Sequence, residues 1–437
     1  MKNTIKNILG AIAGMSMAAG MFSSCDSLDY PDRHKVAEGS PVIYSVRYAD
    51  RDEHITSAYM DEVVCLLGDN LRSVTEIWFN DQKAILNTSY ITENTIIVSI
   101  PKTLPEETTD MMYVLNSKKD TTKFDFKVLP PVPKVISMSN EWAKEGEEVT
   151  IYGDFLIDDP ASPMEILFPN AEVPHEDMTF DGTSAVTFHV PAGATAGYVN
   201  INTISGGGRS KFQYLDSRNI LFDFDGSHGA MQSGYGWRAG MVHAAGADGW
   251  ADNDGSYLYF GGATIGAGIG ETWAEDQFCF NYWPEPGSTE HPELSAIPEF
   301  AEYIETYDVG GLQLKFEVLI PSSSPWSSAV MQIMFTDNDL VTYATGNNNY
   351  YGDTSLPRAC WAPWEDNGGS YDTGGKWVTV TIPLSSFSKT NENKDSGSVI
   401  NKNMLTGLTF FVWHGDREGT ECNPEFGIDN IRVVPVE

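Results

Sequence analysis

Val149-Thr150-Ile151-Tyr152-Gly153-Asp154-Phe155-Leu156 reads as a β-strand that stops at a glycine and then turns through an apolar pair. β-Branched and aromatic residues in short runs suit a packed strand, and glycine frees the chain to leave it. The same plan stands earlier, where Val63-Val64-Cys65-Leu66-Leu67 runs into Gly68-Asp69-Asn70. Another pair of strands agrees. Ile96-Ile97-Val98-Ser99-Ile100 ends at Pro101, and Val186-Thr187-Phe188-His189-Val190 ends at Pro191. The two glycines lie 85 residues apart and the two prolines 90, so the chain holds an internal repeat. Between them come Val74 to Phe79, with its turn Asn80-Asp81, and Glu165 to Phe168. Short strands broken regularly by Gly and Pro predict two β-sandwich modules, over 37–129 and 131–215. The proline-rich Leu129-Pro130-Pro131-Val132-Pro133 is a stiff join between them.

Downstream, residues 216–437 have a different texture. Nine of the eleven tryptophans fall there, which makes it the place to look for function. Leu312, Leu314, Phe316 and Val318 alternate with polar residues, as do Val378, Val380 and Ile382. Leu408 to Trp413 and Phe426 to Val433 are further strands, and helical periodicity is confined to Pro298–Thr306. An all-β segment of this length with aromatic loops predicts a jelly-roll sandwich.

Upstream, Lys2 and Lys6 precede an uncharged run from Ile8 to Ser23, the order of a secretory signal peptide over 1–24. Small residues Ser23 and Ser24 sit just before Cys25 and resemble a bacterial lipobox, which would make Cys25 the acylated N-terminus. An ordinary signal peptide with a chance cysteine is the competing reading. Asp26, Asp29 and Asp32 mark 25–36 as a tether.

The chain of 437 residues carries a formal net charge of −34, which disfavours nucleic acid and polyanionic polysaccharides and leaves neutral ligands and cations. Its 41% hydrophobic content excludes wholesale disorder. Cys65, inside an apolar run, reads as a buried thiol. Cys279, Cys360 and Cys422 allow one disulfide without fixing the pair. CxxC and HExxH spacings are absent.

Trp361 and Trp364 flank a proline in the loop from Arg358 to Gly369, which is rich in Gly, Asn and Asp. Indoles in such a loop leave apolar area in water unless a ligand covers it or they fold back to cap the sandwich. Pyranose rings present flat C–H faces to indoles, while their hydroxyls bond to side chains such as Gln332 and Arg358. Ala329, Met331, Ile333 and Phe335 form one face of a strand, so alternation puts Trp326 and Gln332 on the other. Trp326, Trp361 and Trp364 are therefore the expected ligand platform. Trp283, Tyr350, Tyr351 and Trp413 are secondary candidates, and Trp377, at the head of a regular strand, reads as structural. Carboxylate pairs on a strand and a Gly-x-Ser-x-Gly elbow are missing, so a non-catalytic protein is expected and no cofactor is implied. A structural Ca²⁺ at Asp223, Asp225 and Asp429 is the exception, because a jelly roll brings its first and last strands together. Asp252-Asn253-Asp254-Gly255-Ser256 lacks the glutamate and spacing of an EF-hand and reads as a turn.

The opening Pro133-Lys134-Val135-Ile136-Ser137, the glycine turn and the strand closing at proline resemble the IPT/TIG immunoglobulin-like family, whose domains act as spacers or interaction modules. The whole order, lipobox, two such modules and a tryptophan-rich sandwich starting Ile220-Leu221-Phe222-Asp223-Phe224-Asp225-Gly226, resembles the surface glycan-binding protein B family. That resemblance implies a lipid-anchored outer-membrane protein facing the cell exterior. It also implies capture of a neutral glucan, xyloglucan or a β-glucan of the β-1,3 or mixed-linkage type, on the C-terminal aromatic platform. An outer-membrane glycan transporter is the implied partner complex. The alternatives are an adhesin or assembly protein whose aromatic face binds another protein, and a glycan-active enzyme.

Overall fold

The computed structural model describes residues 39–226, 229–230, 240–271 and 273–437. The signal peptide, Cys25 and the tether over 25–36 lie outside them. The described chain is mainly antiparallel strands in three sandwiches, each around its own apolar core. It divides into two compact units, one up to Pro131 and one over Val132–Glu437 that holds both the second module and the C-terminal sandwich.

The sequence repeat has a steric cause. In the first module Val42–Tyr48 pairs with Val63–Asp69 and shifts register after Ile43, opposite Gly68. In the second, Lys134–Met138 pairs with Glu148–Asp154 and shifts after Val135, opposite Gly153. A Cβ on Gly68 would stand 1.9 Å from the Val42 carbonyl oxygen, and one on Gly153 would stand 2.0 Å from that of Lys134. Both glycines are fixed by the backbone that crosses them. Val64, Leu66, Ile77 and Val114 fill the first core, and Ile151, Ile166, Phe188 and Ile201 the second.

In the C-terminal sandwich one sheet runs Val242–His243, Tyr257–Phe260, Phe426–Pro435, Leu312–Leu319, Val378–Pro383. The other runs Cys279–Tyr282, Gly407–Trp413, Val330–Thr336, Ala359–Trp361. Ile220–Phe222 pairs with Phe426–Pro435, so the first and last strands adjoin. Leu314, Phe316, Met331, Ile333, Phe410 and Ile428 pack between the sheets. The helix expected at Pro298–Thr306 forms there, with proline in its first turn where no amide partner is needed. Cys65, Cys279, Cys360 and Cys422 form no disulfide among the described residues, so the bridge that the sequence allowed is not made there.

Candidate functional site

The four-stranded sheet shows what its alternation puts outward. Phe280, Tyr282, Met331, Ile333, Phe410 and Val412 face the core, which leaves Cys279, Asn281, Gln332, Met334, Thr409, Phe411 and Trp413 on the opposite side. Part of that side is roofed by the chain between Leu340 and Leu356, whose Val341, Tyr350 and Tyr351 pack on Met334 and Phe411. Arg358 pins the roof. Its guanidinium, without solvent exposure, donates to the carbonyls of Tyr351 at 2.8 Å, Asp353 at 2.7 Å and Tyr350 at 3.3 Å, and to Gln332 Oε1 at 2.8 Å. Burial lowers this guanidinium to about 10, since carbonyl dipoles replace water but supply no carboxylate partner.

Beside the roof, Trp273 and the partly exposed Trp413 reach solvent. Trp273 is 52% exposed and stands edge-on to Phe411 (5.2 Å between ring centroids) and to Trp413 (5.4 Å). Trp413 lies parallel to Phe411 at 5.8 Å, and His414 closes on its ring at 4.3 Å. Glu275, two residues after Trp273, accepts from Asn348 Nδ2 at 2.9 Å and gives the rings a polar rim. Four residues along from Cys279, about 13 Å at strand rise, half-buried Trp283 donates from Nε1 to the Tyr350 hydroxyl at 2.9 Å, which also meets Thr409 Oγ1 at 2.9 Å. Burial pushes the Tyr350 and Tyr351 phenols above their ordinary range, so both stay neutral donors and acceptors. A half-exposed indole backed by Phe411 and Trp413, with polar groups at its edge, offers stacking surface and little else.

The expected platform lies elsewhere. Trp326 has no exposed surface and packs in the core against Trp361 (5.5 Å) and Phe426 (5.1 Å). The alternation argument failed because Ala329 takes a left-handed φ of 63°, which breaks the strand before Val330 and sends Trp326 inward. Trp364 is buried too, with Nε1 donating to the Ala329 carbonyl at 2.8 Å. Trp361 is half-buried between Trp326, Phe316 and Tyr371. These three indoles belong to the core of the sandwich or pack against it. Gln332 keeps its predicted face, but Arg358 and the Asn391 carbonyl, 3.0 Å from its Nε2, cover it completely. Arg358 and Tyr351 are likewise interior, so three expected ligand contacts are withdrawn from the surface. Sequence reading passed over Trp273, although its place just after the glycine-rich 261–270 carries the same signal that singled out Trp361.

A second ring cluster sits on the outer face of the other sheet. His243 stacks on Tyr259 at 4.3 Å and Trp250 on Tyr257 at 5.5 Å, while Asp248 and Glu425 hold the tyrosine hydroxyls. Trp377, 5% exposed and just ahead of Val378–Pro383, packs edge-on to Tyr257 in this cluster.

Strand modules in series that end in a sandwich with rings displayed on its faces are the build of a carbohydrate-binding protein. Comparison with known proteins makes this specific. Residues 214–435 match the surface glycan-binding protein B xyloglucan binding domain. Surface glycan-binding protein PbSGBP-B from Prevotella bryantii, known from its crystal structure, is 35% identical and matches with a TM-score of 0.71 over 92% of this chain and 100% of that one. An IPT/TIG domain-containing protein of Bacteroides ovatus is 23% identical over 149 residues, 32% of this chain and 29% of that protein's length. The chain belongs to the surface glycan-binding protein B family.

Proposed function

We propose that this chain is a non-catalytic cell-surface lipoprotein, acylated at Cys25, that captures a neutral β-glucan on the Trp273–Trp413 face. The observation that carries the site is Trp273, half exposed yet held edge-on by Phe411 and Trp413. A ring kept in water at that exposure loses apolar hydration when a sugar face covers it, and its supports cost little further ordering. The net charge of −34 is consistent with an uncharged polymer. The description of the matched domain makes xyloglucan the first ligand to test, followed by mixed-linkage and β-1,3-glucans. Weak single sites suffice, since many copies on one cell engage one polymer.

Gel retardation of the mature chain in each glucan tests the reading. Wild type is slowed by at least one of them, and Trp273→Ala and Trp413→Ala each weaken binding roughly tenfold, the effect of about 1.4 kcal/mol of ring contact. Wild-type mobility unchanged across the whole panel overturns glucan capture. Retardation that survives both substitutions and falls with Trp250→Ala moves the site to the other sheet.

A further inference from the structure

Among the described residues no three His, Cys, Asp or Glu side chains are placed to hold a metal ion, so Asp223, Asp225 and Asp429 do not form the Ca²⁺ site that the sequence allowed. What the fold does assemble is a second displayed ring, on the roof over the four-stranded sheet. Tyr343 is 49% exposed, and His291 stacks on it with centroids 3.9 Å apart and planes 23° from parallel. Its backbone is fixed as well. The Tyr343 amide donates to the Pro284 carbonyl at 2.9 Å, and the Ala344 amide donates to Glu285 Oε2 at 2.9 Å. The Gly346 amide closes the turn on the Thr342 carbonyl at 2.9 Å. This turn lies close on Trp283, since a Cβ added to Gly346 would stand 3.0 Å from that indole. Tyr343 is therefore a ring kept in water by its neighbours, as Trp273 is.

The sheet sets the spacing between the two rings. Trp273 stands edge-on to Phe411, which pairs with Cys279, and Trp283 follows Cys279 by four residues, about 13 Å at strand rise. The roof leads from one end to the other. Gly346 lies on Trp283, and Asn348 Nδ2 donates at 2.9 Å to Oε2 of Glu275, two residues after Trp273. Between the rings the roof displays amides, with Asn348 and Asn349 exposed and Asn347 partly so. Amides both donate and accept, which suits sugar hydroxyls. Glu275 and Glu285 add a carboxylate beside each end, acceptors that also repel an anionic polymer. A single sugar would use one ring and leave the other in water. A protein partner would need an apolar core at the centre of the contact, where this surface has asparagines.

We propose that the glycan site extends across the roof from Trp273 to Tyr343 and takes an internal run of several sugar units of a neutral, extended polysaccharide. Trp273 and Tyr343 are separate stacking positions, and the amides of Asn347, Asn348 and Asn349 bond the hydroxyls between them. The extension rests on capture at the Trp273–Trp413 face. It makes affinity depend on ligand length. A short oligosaccharide reaches one ring, whereas a longer one reaches both, and its second contact forms as an intramolecular step.

Calorimetric titration of the mature chain with a length series of oligosaccharides, cut from the glucan that retards it most, tests the extension. Wild-type affinity rises with length and levels off once both rings are spanned. Tyr343→Ala, at an exposed position, keeps the wild-type melting temperature and binds the shortest ligands as wild type does. On the longest ligands it loses about threefold to tenfold. Tyr343→Phe keeps the ring and binds like wild type at every length, whereas Trp273→Ala weakens all of them. Unchanged affinity of Tyr343→Ala for the longest oligosaccharide, with Trp273→Ala still weakened, overturns the extension and leaves glucan capture at Trp273 standing. Equal weakening at every length in Tyr343→Ala also overturns it, because the two rings would then serve one sugar. A wild type that binds no glucan overturns capture itself, and the extension with it.

Discussion

Trp326 gives up all its surface to the core, and its indole N–H donates to the Ser328 carbonyl at 2.5 Å. The residue that decides this is Ala329, whose left-handed backbone separates Trp326 from the alternation of the strand that follows. A rule of period two cannot see such a break, because alanine carries no mark of positive φ in the way glycine or asparagine does. Arg358 and Gln332 misled for a related reason. Their chemistry suits a sugar equally well, but the chain supplies their partners itself, and only the folded backbone shows that its carbonyls use the guanidinium and the amide first. The correction has a measurable consequence. Trp326→Ala should lower unfolding free energy by about 3–5 kcal/mol, the usual result of removing a large buried ring. Denaturant titration checks the loss, while gel retardation of the protein that remains folded should match wild type. Loss of glucan binding with unchanged stability would return Trp326 to the ligand.

At the scale of elements, legibility followed backbone constraint. Gly68 and Gly153 were visible in the sequence because sterics leave no other residue at those crossings, and Pro101 and Pro191 because proline cannot continue a ladder. The strands of the C-terminal sandwich were readable from alternation, and the helix at Pro298–Thr306 from its spacing. The roof over the four-stranded sheet was not, since 340–356 has neither period and is held by buried Arg358 and by packing on Met334 and Phe411. Which aromatic rings stay outside depends on that roof, so the fold was more legible than the site. The crossing glycines make the sharper prediction. Gly153→Ala forces a Cβ to 2.0 Å from the Lys134 oxygen, and the two strands must part. A destabilisation of about 1–3 kcal/mol is expected, with faster amide exchange along Lys134–Met138 and Glu148–Asp154. Replacing Gly146, where a Cβ meets nothing within 4 Å but φ is 81°, should cost only the backbone term of about 1 kcal/mol.

Over the unit from Val132 to Glu437, the second module and the C-terminal sandwich share a buried ionic cluster. Glu141, from the module, accepts from Lys315 at 2.6 Å and from Arg432 at 2.9 Å, and Arg432 also donates to Glu317 at 2.8 Å. Each of the four is 3% exposed or less, and two carboxylates balance two cations. Thr379 adds backbone definition: its amide donates to the Ser139 carbonyl at 2.8 Å, and its hydroxyl accepts from the Glu141 amide at 2.8 Å. Lys376 and Glu148 add a surface pair at 2.9 Å, which contributes little in water. The IPT/TIG resemblance implies a spacer or interaction module, and these contacts make the second module a fixed base for the C-terminal sandwich. Breaking a buried pair from one side is costlier than the pair itself is stabilising, because the stranded charge stays buried. Glu141→Ala strands Lys315 and weakens the hold on Arg432, so it should cost about 3–5 kcal/mol. Differential scanning calorimetry should then resolve two transitions where wild type gives one for this unit. Adding Lys315→Met to Glu141→Ala removes the stranded charge and should recover part of the loss. A single unshifted transition in Glu141→Ala would mean that the two sandwiches hold together through their other contacts, and that the cluster fixes their register without supplying the adhesion.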